Sequence, residues 1–237
     1  MKIRGFTLVE LLAVVAILGI LAGLVIGVIG RAKETANSAK CASNLHQIGI
    51  GLLAYASDHK GMITGRSYAE EFKPDGTSTF SHWYRRLGRG GYVDKSNQLG
   101  DSPIFYCPSF PPTAPTDDSV DDPENVFYRY GMRNWVPPDG SIPLNDETRL
   151  LPLNSIENPA DFFLVADSIY TTTQTQGYSI PQGSTTWGIH LRHNGKANTL
   201  FADGHVAAMD ADYFNKLYLR QFYGGATNGK PFLVVPK

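Results

Sequence analysis

Two histidines and an aspartate near the C-terminus carry side chains that could bind a metal ion. His193 precedes the dipeptide Asn194-Gly195, and Asp203 and His205 flank Gly204. Imidazole nitrogens and carboxylate oxygens are acceptable ligands for zinc or a similar ion. Asn-Gly favours a type I′ hairpin turn, and a hairpin could bring His193 near the second turn at Asp203 and Gly204. These three side chains are the first candidates for a metal site.

A structural role is the alternative for the same residues. The Asp203 carboxylate would accept hydrogen bonds from backbone amides of its own turn, and His193 would cap or bond that network. This is the commoner use of a carboxylate in a turn. His190 and Asp167 are further possible ligands. We therefore expect no cofactor, and a bound metal ion is the alternative.

Signatures of known enzyme classes are missing from the sequence. It contains no P-loop, no Rossmann glycine pattern, no helix-borne H-E-x-x-H and no Ser/His/Asp order of a hydrolase. We therefore expect no catalytic residues and a protein that is not an enzyme.

A Pro-rich acidic segment from Ser109 to Asn125 contains clustered aspartates. Calcium takes such carboxylates as ligands, but the spacing matches no EF-hand. A solvated surface loop is the favoured interpretation of this segment.

The chain has two cysteines, Cys41 and Cys107. In an oxidising compartment they would form one disulfide, since nothing else in the sequence competes for these thiols. The bond would close a loop of about 65 residues and stabilise the fold by about 4 kcal/mol in the chain-entropy model. Two unpaired, buried thiols are the alternative.

The elements that must position these residues begin with an apolar N-terminal segment. Leu11 to Gly30 contains no charged side chain. As a helix it would measure about 30 Å, the thickness of the hydrocarbon core of a bilayer. Glu10 lies at its start, where an unpaired charge costs about 3 kcal/mol or more. The segment is too long for an ordinary secretory signal and lacks an A-x-A site, so an uncleaved signal anchor is the plain alternative.

The residues from Gly5 to Glu10, with the sequence GFTLVE, resemble the class III signal of type IV prepilins. In that family a prepilin peptidase removes a short basic leader on the cytoplasmic side and methylates the new N-terminus. The resemblance implies cleavage between Gly5 and Phe6 and N-methylation of Phe6. It also implies that the N-terminus lies in the cytoplasm. The charges alone leave this orientation open, because basic residues flank the apolar segment on both sides.

Glu10 matches the glutamate at the fifth position of mature pilins. Pairing inside its own helix is difficult, because no cation lies within a turn or two. The resemblance implies that its partner is the N-terminal amine of a neighbouring subunit during assembly, where a low dielectric favours the pair. The alternative is that Glu10 reaches the membrane–water interface, since it lies only a turn from the new terminus.

The N-terminal helix is predicted to continue beyond the membrane and to end near Lys60-Gly61. Apolar residues recur at spacings of three or four from Ala32 to Tyr55, which is the amphipathic helical period. Small-residue spacing of the membrane-segment glycines permits close helix packing, although glycine is common in membrane helices. The expected segments are a leader at residues 1–5, a transmembrane or fibre-core helix at 6–30, its amphipathic continuation at 31–61 and a globular head at 62–237.

Within the head, short helices are predicted from His82 to Leu87 and from Ala211 to Phe222. Strands are predicted at residues 104–107, 126–130, 162–166 and 231–235, besides the hairpin that follows His193. The predicted fold class is α+β, with a long N-terminal membrane-spanning helix packed on a mostly antiparallel sheet head, the lollipop arrangement of pilins.

The C-terminal segment also resembles a prepilin-associated motif, a histidine followed after nine residues by Asp-Gly. Its residues in this chain are His193, Asp203 and Gly204. The surroundings of both cysteines and of Asp167-Ser168 are similar to the same group of bacterial pilin-like proteins. The resemblance assigns no biochemical role to the motif.

These resemblances predict a structural subunit of a type IV pilus or a type II secretion pseudopilus. It would lie in the bacterial inner membrane with a cytoplasmic N-terminus, and its partners would be prepilin peptidase and like or related pilin subunits. The alternative is a membrane-anchored binding module for a glycan, solute or protein, with contacts from exposed aromatics and the segment Tyr170 to Gly188. The net charge of −1 gives no electrostatic case for binding nucleic acid.

Overall fold

The computed structural model describes residues 8–65, 67–72, 78–94, 103–110, 129–134, 151–172, 174–181, 184, 186–217, 222–224 and 232–234. The chain divides into two compact units, Met1–Asn37 and Ser38–Lys237. Gly5, Phe6, most of the acidic segment and most of the strand expected at 126–130 lie outside the described residues.

Three α-helices and thirteen strands are described. The helices are α1 (Leu8–Asp58), α2 (Trp83–Arg89) and α3 (Ala211–Lys216), and single 3-10 turns lie at Pro103–Phe105 and Leu153–Ser155. The strands are β1 (Met62–Ile63), β2 (Ser67–Phe72), β3 (Ser78–His82), β4 (Gly131–Arg133), β5 (Leu151–Pro152), β6 (Phe163–Ala166), β7 (Ser168–Tyr170), β8 (Ser179–Ile180), β9 (Trp187–His190), β10 (Ala197–Phe201), β11 (Val206–Met209), β12 (Phe222–Gly224) and β13 (Phe232–Val234).

The second half of α1 belongs to the core of the second unit. Its buried side chains recur every three or four residues, and the buried stripe consists of Cys41, Leu45, Ile48, Leu52 and Tyr55. Polar residues lie between them on the exposed face, as the amphipathic period predicts. This stripe packs within the main apolar cluster of the head, together with residues of α2 and β6.

The end of α1 follows from its last backbone hydrogen bonds. Lys60 and Gly61 adopt positive φ angles of 55° and 79°, and the Gly61 amide donates to the Ala56 carbonyl over 2.8 Å. This is a C-terminal cap of the Schellman type, which satisfies a carbonyl that the helix leaves open. The predicted stop at Lys60-Gly61 is confirmed.

Two larger sheets form the head. One has the strand order β11-β10-β6-β4-β8 and the other β13-β12-β9-β7, while β1 pairs with β5 and β2 pairs with β3. Among the described strands, neighbours run antiparallel except for β4 with β8 and β9 with β12. The predicted α+β class with a mostly antiparallel head is confirmed.

Two local predictions are wrong. Residues 104–107 were expected as a strand, but Pro103–Phe105 is a 3-10 turn that buries Phe105 against Trp83 and Tyr84, with ring centroids 5.6 and 5.7 Å apart. The helix expected to reach Phe222 stops at Lys216, and Phe222 begins strand β12. In each case contacts with distant parts of the chain override the local pattern.

Candidate functional site

A disulfide joins α1 to the loop that follows the first 3-10 turn. It links Cys41 and Cys107, and neither residue has any exposed surface. The Cys41 carbonyl accepts a hydrogen bond from the Tyr130 hydroxyl over 3.2 Å. Both cysteines therefore lie in the buried core, at a point where three segments of the chain meet.

The backbone of Cys107 is held by one buried glutamine. Gln176 accepts from the Cys107 amide over 3.0 Å and donates from Nε2 to the carbonyls of Cys107 and Phe110 over 3.1 and 2.6 Å. Gln176 is itself fully buried. A buried amide that satisfies three backbone groups fixes the loop without help from water.

Asp167 lies beside the disulfide, between β6 and β7, and its side chain is fully buried. Its Oδ2 accepts from the Asn198 amide over 2.8 Å and lies 3.2 Å from His193 Nε2. Its Oδ1 lies 3.7 Å from Arg192 Nη1, and the guanidinium is equally buried. Arg192 also donates from Nη2 to the Ser168 carbonyl. A buried carboxylate with these partners is charge-compensated, which burial requires.

His193 connects this ion pair to the disulfide. Its Nε2 lies 3.4 Å from Cys107 Sγ. The side chain is placed by the turn that follows, in which Asn194 and Gly195 have positive φ angles of 52° and 79°. His193 and Lys196 exchange two backbone hydrogen bonds across that turn. The predicted Asn-Gly hairpin turn is confirmed, and it directs His193 into the core.

A second histidine, His190, is buried in the same region. Its ring packs edge-on against Phe110, with centroids 5.2 Å apart, and neither ring nitrogen has a hydrogen-bond partner in the part of the chain that the structure describes. Burial, reinforced by the positive charge of Arg192, lowers the pKa of His190 well below its ordinary value. His190 is therefore neutral at physiological pH.

The turn at Asp203 and Gly204 lies on the surface. Asp203 Oδ1 accepts from the His205 amide over 3.1 Å and lies 2.6 Å from His205 Nδ1. Partial burial alone would raise the pKa of Asp203, but the hydrogen bonds and charge of His205 outweigh it and lower this pKa. Gly204 has a φ of +91°, and a Cβ there would meet Leu53 of α1 at 3.1 Å.

The predicted metal ligands are thus separated into two groups. His193 precedes β10, whereas Asp203 and His205 follow it, and five strand residues at about 3.3 Å each separate the two ends by more than 13 Å. His193 lies instead with Asp167, which the sequence suggested only as a further ligand. Asp203 accepts from the His205 amide of its own turn, as the structural alternative supposed, but the contact of His193 with that turn, which the same alternative supposed, is wrong.

Three residues of the buried network escaped the sequence analysis. Arg192 and Asn198 lie in the hairpin segment, but nothing in their spacing indicates that they contact Asp167. Gln176 lies in a segment rich in Thr and Gln, where it has no distinguishing neighbour. Only the alternation of small polar and apolar residues in this region could have suggested buried polar groups.

The N-terminal unit presents a different kind of surface. Glu10 lies in the first turn of α1 and is exposed. Many apolar side chains that follow it are exposed by about half or more, and the large ones are Leu11, Leu12, Val14, Val15, Ile17, Leu18, Ile20, Leu21, Leu24 and Ile29. Among the described helices, α1 alone is long and apolar enough to cross a membrane, by length and composition.

Residues 1–26 match the family model for the prokaryotic N-terminal methylation motif. This match supports a type IV prepilin-like precursor and, together with the apolar first part of α1, fits a single-pass membrane-anchored protein. The model covers the N-terminal segment and leaves the head unclassified. Comparison with curated proteins gave no match, and comparison with solved structures gave none either.

Proposed function

We propose that the chain is the precursor of a pilin-like structural subunit, which prepilin peptidase cleaves between Gly5 and Phe6 and methylates at Phe6. The observation that carries the proposal is the methylation motif over residues 1–26, directly continuous with an apolar helix. The motif supplies the processing signal, and the helix supplies the surface that assembly would use.

The apolar part of α1 supports assembly because its large side chains have nothing to pack on within the described chain. Leu8 to Leu24 is exposed along its length. In the membrane this surface would contact lipid, and in a fibre it would contact the same segment of neighbouring subunits. Replacing lipid contacts by helix contacts costs little free energy, because lipid tails and the side chains of a neighbouring helix are equally apolar. The closeness of helix packing therefore decides whether the subunits associate.

Glu10 would then set the register between neighbouring subunits. Cleavage after Gly5 places a new amine at Phe6, about one helical turn before Glu10. The amine of one subunit and the carboxylate of the next would compensate each other in an environment that disfavours either charge alone. The N-terminal turn of α1 also favours a carboxylate through the helix dipole.

We propose a type IV pilus or a type II secretion pseudopilus as the assembly. The leader would remain in the cytoplasm and the head would lie outside the inner membrane, where the compartment permits the disulfide. Prepilin peptidase and like or related pilin subunits are the partners implied, and the protein acts structurally rather than as an enzyme.

Processing and assembly can be tested separately in native cells. Mass spectrometry of the mature protein should find N-methylphenylalanine from Phe6 at its start, and Gly5→Ala should leave the leader attached. Glu10→Ala should remove filaments seen by immunogold microscopy, while the cleaved monomer stays in the membrane. Glu34→Ala is the matched control, since it removes a carboxylate of the same helix outside the apolar segment. An intact Met1 in the mature protein, or equal filament loss in both Glu variants, would contradict the proposal.

A further inference from the structure

We propose that, before the disulfide forms, Cys41, Cys107, His193 and Asp167 make a four-ligand site for a divalent cation of the zinc class. The three ligand atoms of Cys41, Cys107 and His193 already lie within 4.8 Å of one another, and all three residues are buried. The site is independent of the methylation motif and lies wholly in the second unit.

The distances around His193 match a tetrahedral zinc centre. With Zn–S near 2.3 Å and Zn–N or Zn–O near 2.0–2.2 Å, tetrahedral geometry requires about 3.6 Å between S and N and about 3.4 Å between N and O. In the structure, His193 Nε2 lies 3.4 Å from Cys107 Sγ and 3.2 Å from Asp167 Oδ2. The two sulfurs have to move from bonding distance to about 3.8 Å apart and toward Asp167, whose carboxylate lies outside the cluster formed by the other three ligand atoms. Rotation of the cysteine side chains supplies such movement without a new backbone.

The framework that holds the ligands does not depend on the sulfur–sulfur bond. Gln176 holds the backbone of Cys107, and the Asn198 amide holds the Asp167 carboxylate. The Tyr130 hydroxyl bonds the carbonyl of Cys41. Outer hydrogen bonds of this kind orient the ligands of metal sites. His193 Nε2 would become a ligand by carrying its proton on Nδ1 instead, which leaves the imidazole neutral.

Charge balance favours the metal in the reduced protein. Two thiolates and the Asp167 carboxylate carry three negative charges, and a divalent cation with the Arg192 guanidinium carries three positive ones. After oxidation the sulfurs are neutral, and Asp167 and Arg192 balance each other within 3.7 Å. Both forms of the buried site are therefore neutral, which a low-dielectric core requires.

The reduced site would precede the disulfide in the life of the protein. Chains are synthesised with free thiols in a reducing compartment and oxidised after export. Oxidation of the metal-bound pair gives two electrons to an oxidant of the disulfide class, which takes two protons and becomes a dithiol. The Cys41–Cys107 bond forms, and the cation leaves with its charge unchanged.

The test uses the full chain in detergent micelles, reduced with a phosphine, and titrates Zn²⁺ against a chromogenic chelator. We expect one zinc per reduced chain and none per oxidised chain. Co²⁺ in place of Zn²⁺ should show thiolate charge-transfer bands and the ligand-field spectrum of a tetrahedral ion. His193→Ala should weaken zinc binding at least about tenfold. His205→Ala is the matched control, because it removes a histidine from the exposed turn, and it should leave binding unchanged.

Thermal unfolding of the wild-type chain keeps the proposal testable if a variant does not fold. Zn²⁺ should raise the unfolding midpoint of the reduced chain and leave that of the oxidised chain unchanged. Equal zinc binding in both redox states would overturn the proposal. So would unchanged affinity in a folded His193→Ala, a six-coordinate Co²⁺ spectrum, or a midpoint of the reduced chain that zinc does not move.

Discussion

Asp167→Asn is the substitution that most directly tests the buried network beside the disulfide. The new side chain has the same shape, and its carbonyl oxygen can still accept from the Asn198 amide. The charge is lost, and an NH2 donor replaces the oxygen that faces Arg192. Arg192, whose guanidinium is fully buried 3.7 Å from the Asp167 carboxylate, then keeps a positive charge that its former ion-pair partner no longer balances. The variant isolates the electrostatic contribution from packing.

The expected cost of Asp167→Asn is about 3–5 kcal/mol of unfolding free energy, because removal of one partner of a buried pair leaves the other charge desolvated. Asp203→Asn is the control, since Asp203 and His205 form a pair whose side chains are 37 % and 43 % exposed. Exposed pairs contribute about 0–1 kcal/mol. The two Asp→Asn changes should therefore differ several-fold in their effect.

Urea denaturation of the oxidised full chain in micelles, followed by tryptophan fluorescence, measures both variants. Trp83 is fully buried in the core cluster that contains both cysteines, so its fluorescence reports the unfolding of that core. The midpoint should fall while the slope stays constant, which would show that stability has changed rather than the denatured state. The double variant Asp167→Asn with Arg192→Met should recover much of the loss, since it leaves neither charge of the buried pair without its partner.

Two results would refute this reasoning. One is a cost for Asp167→Asn of about 1 kcal/mol or less, equal to that of the exposed control. The other is a double variant whose cost equals the sum of the two single costs, because additivity would show that Asp167 and Arg192 do not interact.

Three further predictions concern the disulfide and the exposed turn. Serine at both cysteines should destabilise the head by about 4 kcal/mol in thermal or urea unfolding, because the bond joins residues 66 positions apart. Gly204→Ala should lower the free energy of unfolding by about 1–2 kcal/mol because of its φ of +91°, and by more because the new Cβ would clash with Leu53. Gly195→Ala, with a φ of +79° and open space around it, should show only the backbone cost of about 1–2 kcal/mol. The carboxyl pKa of Asp203, followed by NMR, should lie below its ordinary value and rise in His205→Ala. Because folding lowers the pKa of Asp203, this carboxylate contributes its full share to the free energy of unfolding at pH values above its unfolded-state pKa. That contribution is lost as the pH falls through the pKa of the folded state.

Regular elements with strong local signals could be predicted from the sequence. The apolar run and the three-and-four spacing specify α1, and the positive-φ residues after it specify where it ends. The Asn194-Gly195 turn and strand β6 were predicted for the same reason, since their preferences are local. Each of these elements has a physical cause within about ten residues of itself.

The elements that failed have causes elsewhere in the chain. Phe105 lies in a 3-10 turn because its ring is enclosed by aromatics of α2 and its carbonyl accepts from the Tyr130 amide over 2.8 Å. Phe222 leaves the predicted helix because it pairs in parallel with Ile189 of β9. A sequence window around either residue contains neither partner.

The candidate site was hidden for the same reason. His193 and Asp167 were both recognised as residues with ligand chemistry, but their contact depends on pairing of β10 with β6. The sequence grouped His193 with Asp203 because both flank the same short strand. The structure separates them because a strand carries its two ends apart, whereas the sheet brings different strands together.

The distance along the chain between His193 and Gly204 can be explained by the contacts that the two residues make near helix α1. His193 meets the disulfide, whose other half is Cys41 of α1, and Gly204 meets Leu53 of the same helix. Cys41 and Leu53 lie about 18 Å apart along the helix axis at 1.5 Å per residue. Strand β10, from Ala197 to Phe201, spans about 13 Å at 3.3 Å per residue, and the residues on either side of it lengthen the segment between His193 and Gly204. The segment from His193 to Gly204 therefore meets α1 near both of its ends, through the disulfide at one end and through a close glycine approach at the other. A fixed interval between a buried histidine and a surface glycine follows from this geometry and does not require that the two residues act together in chemistry.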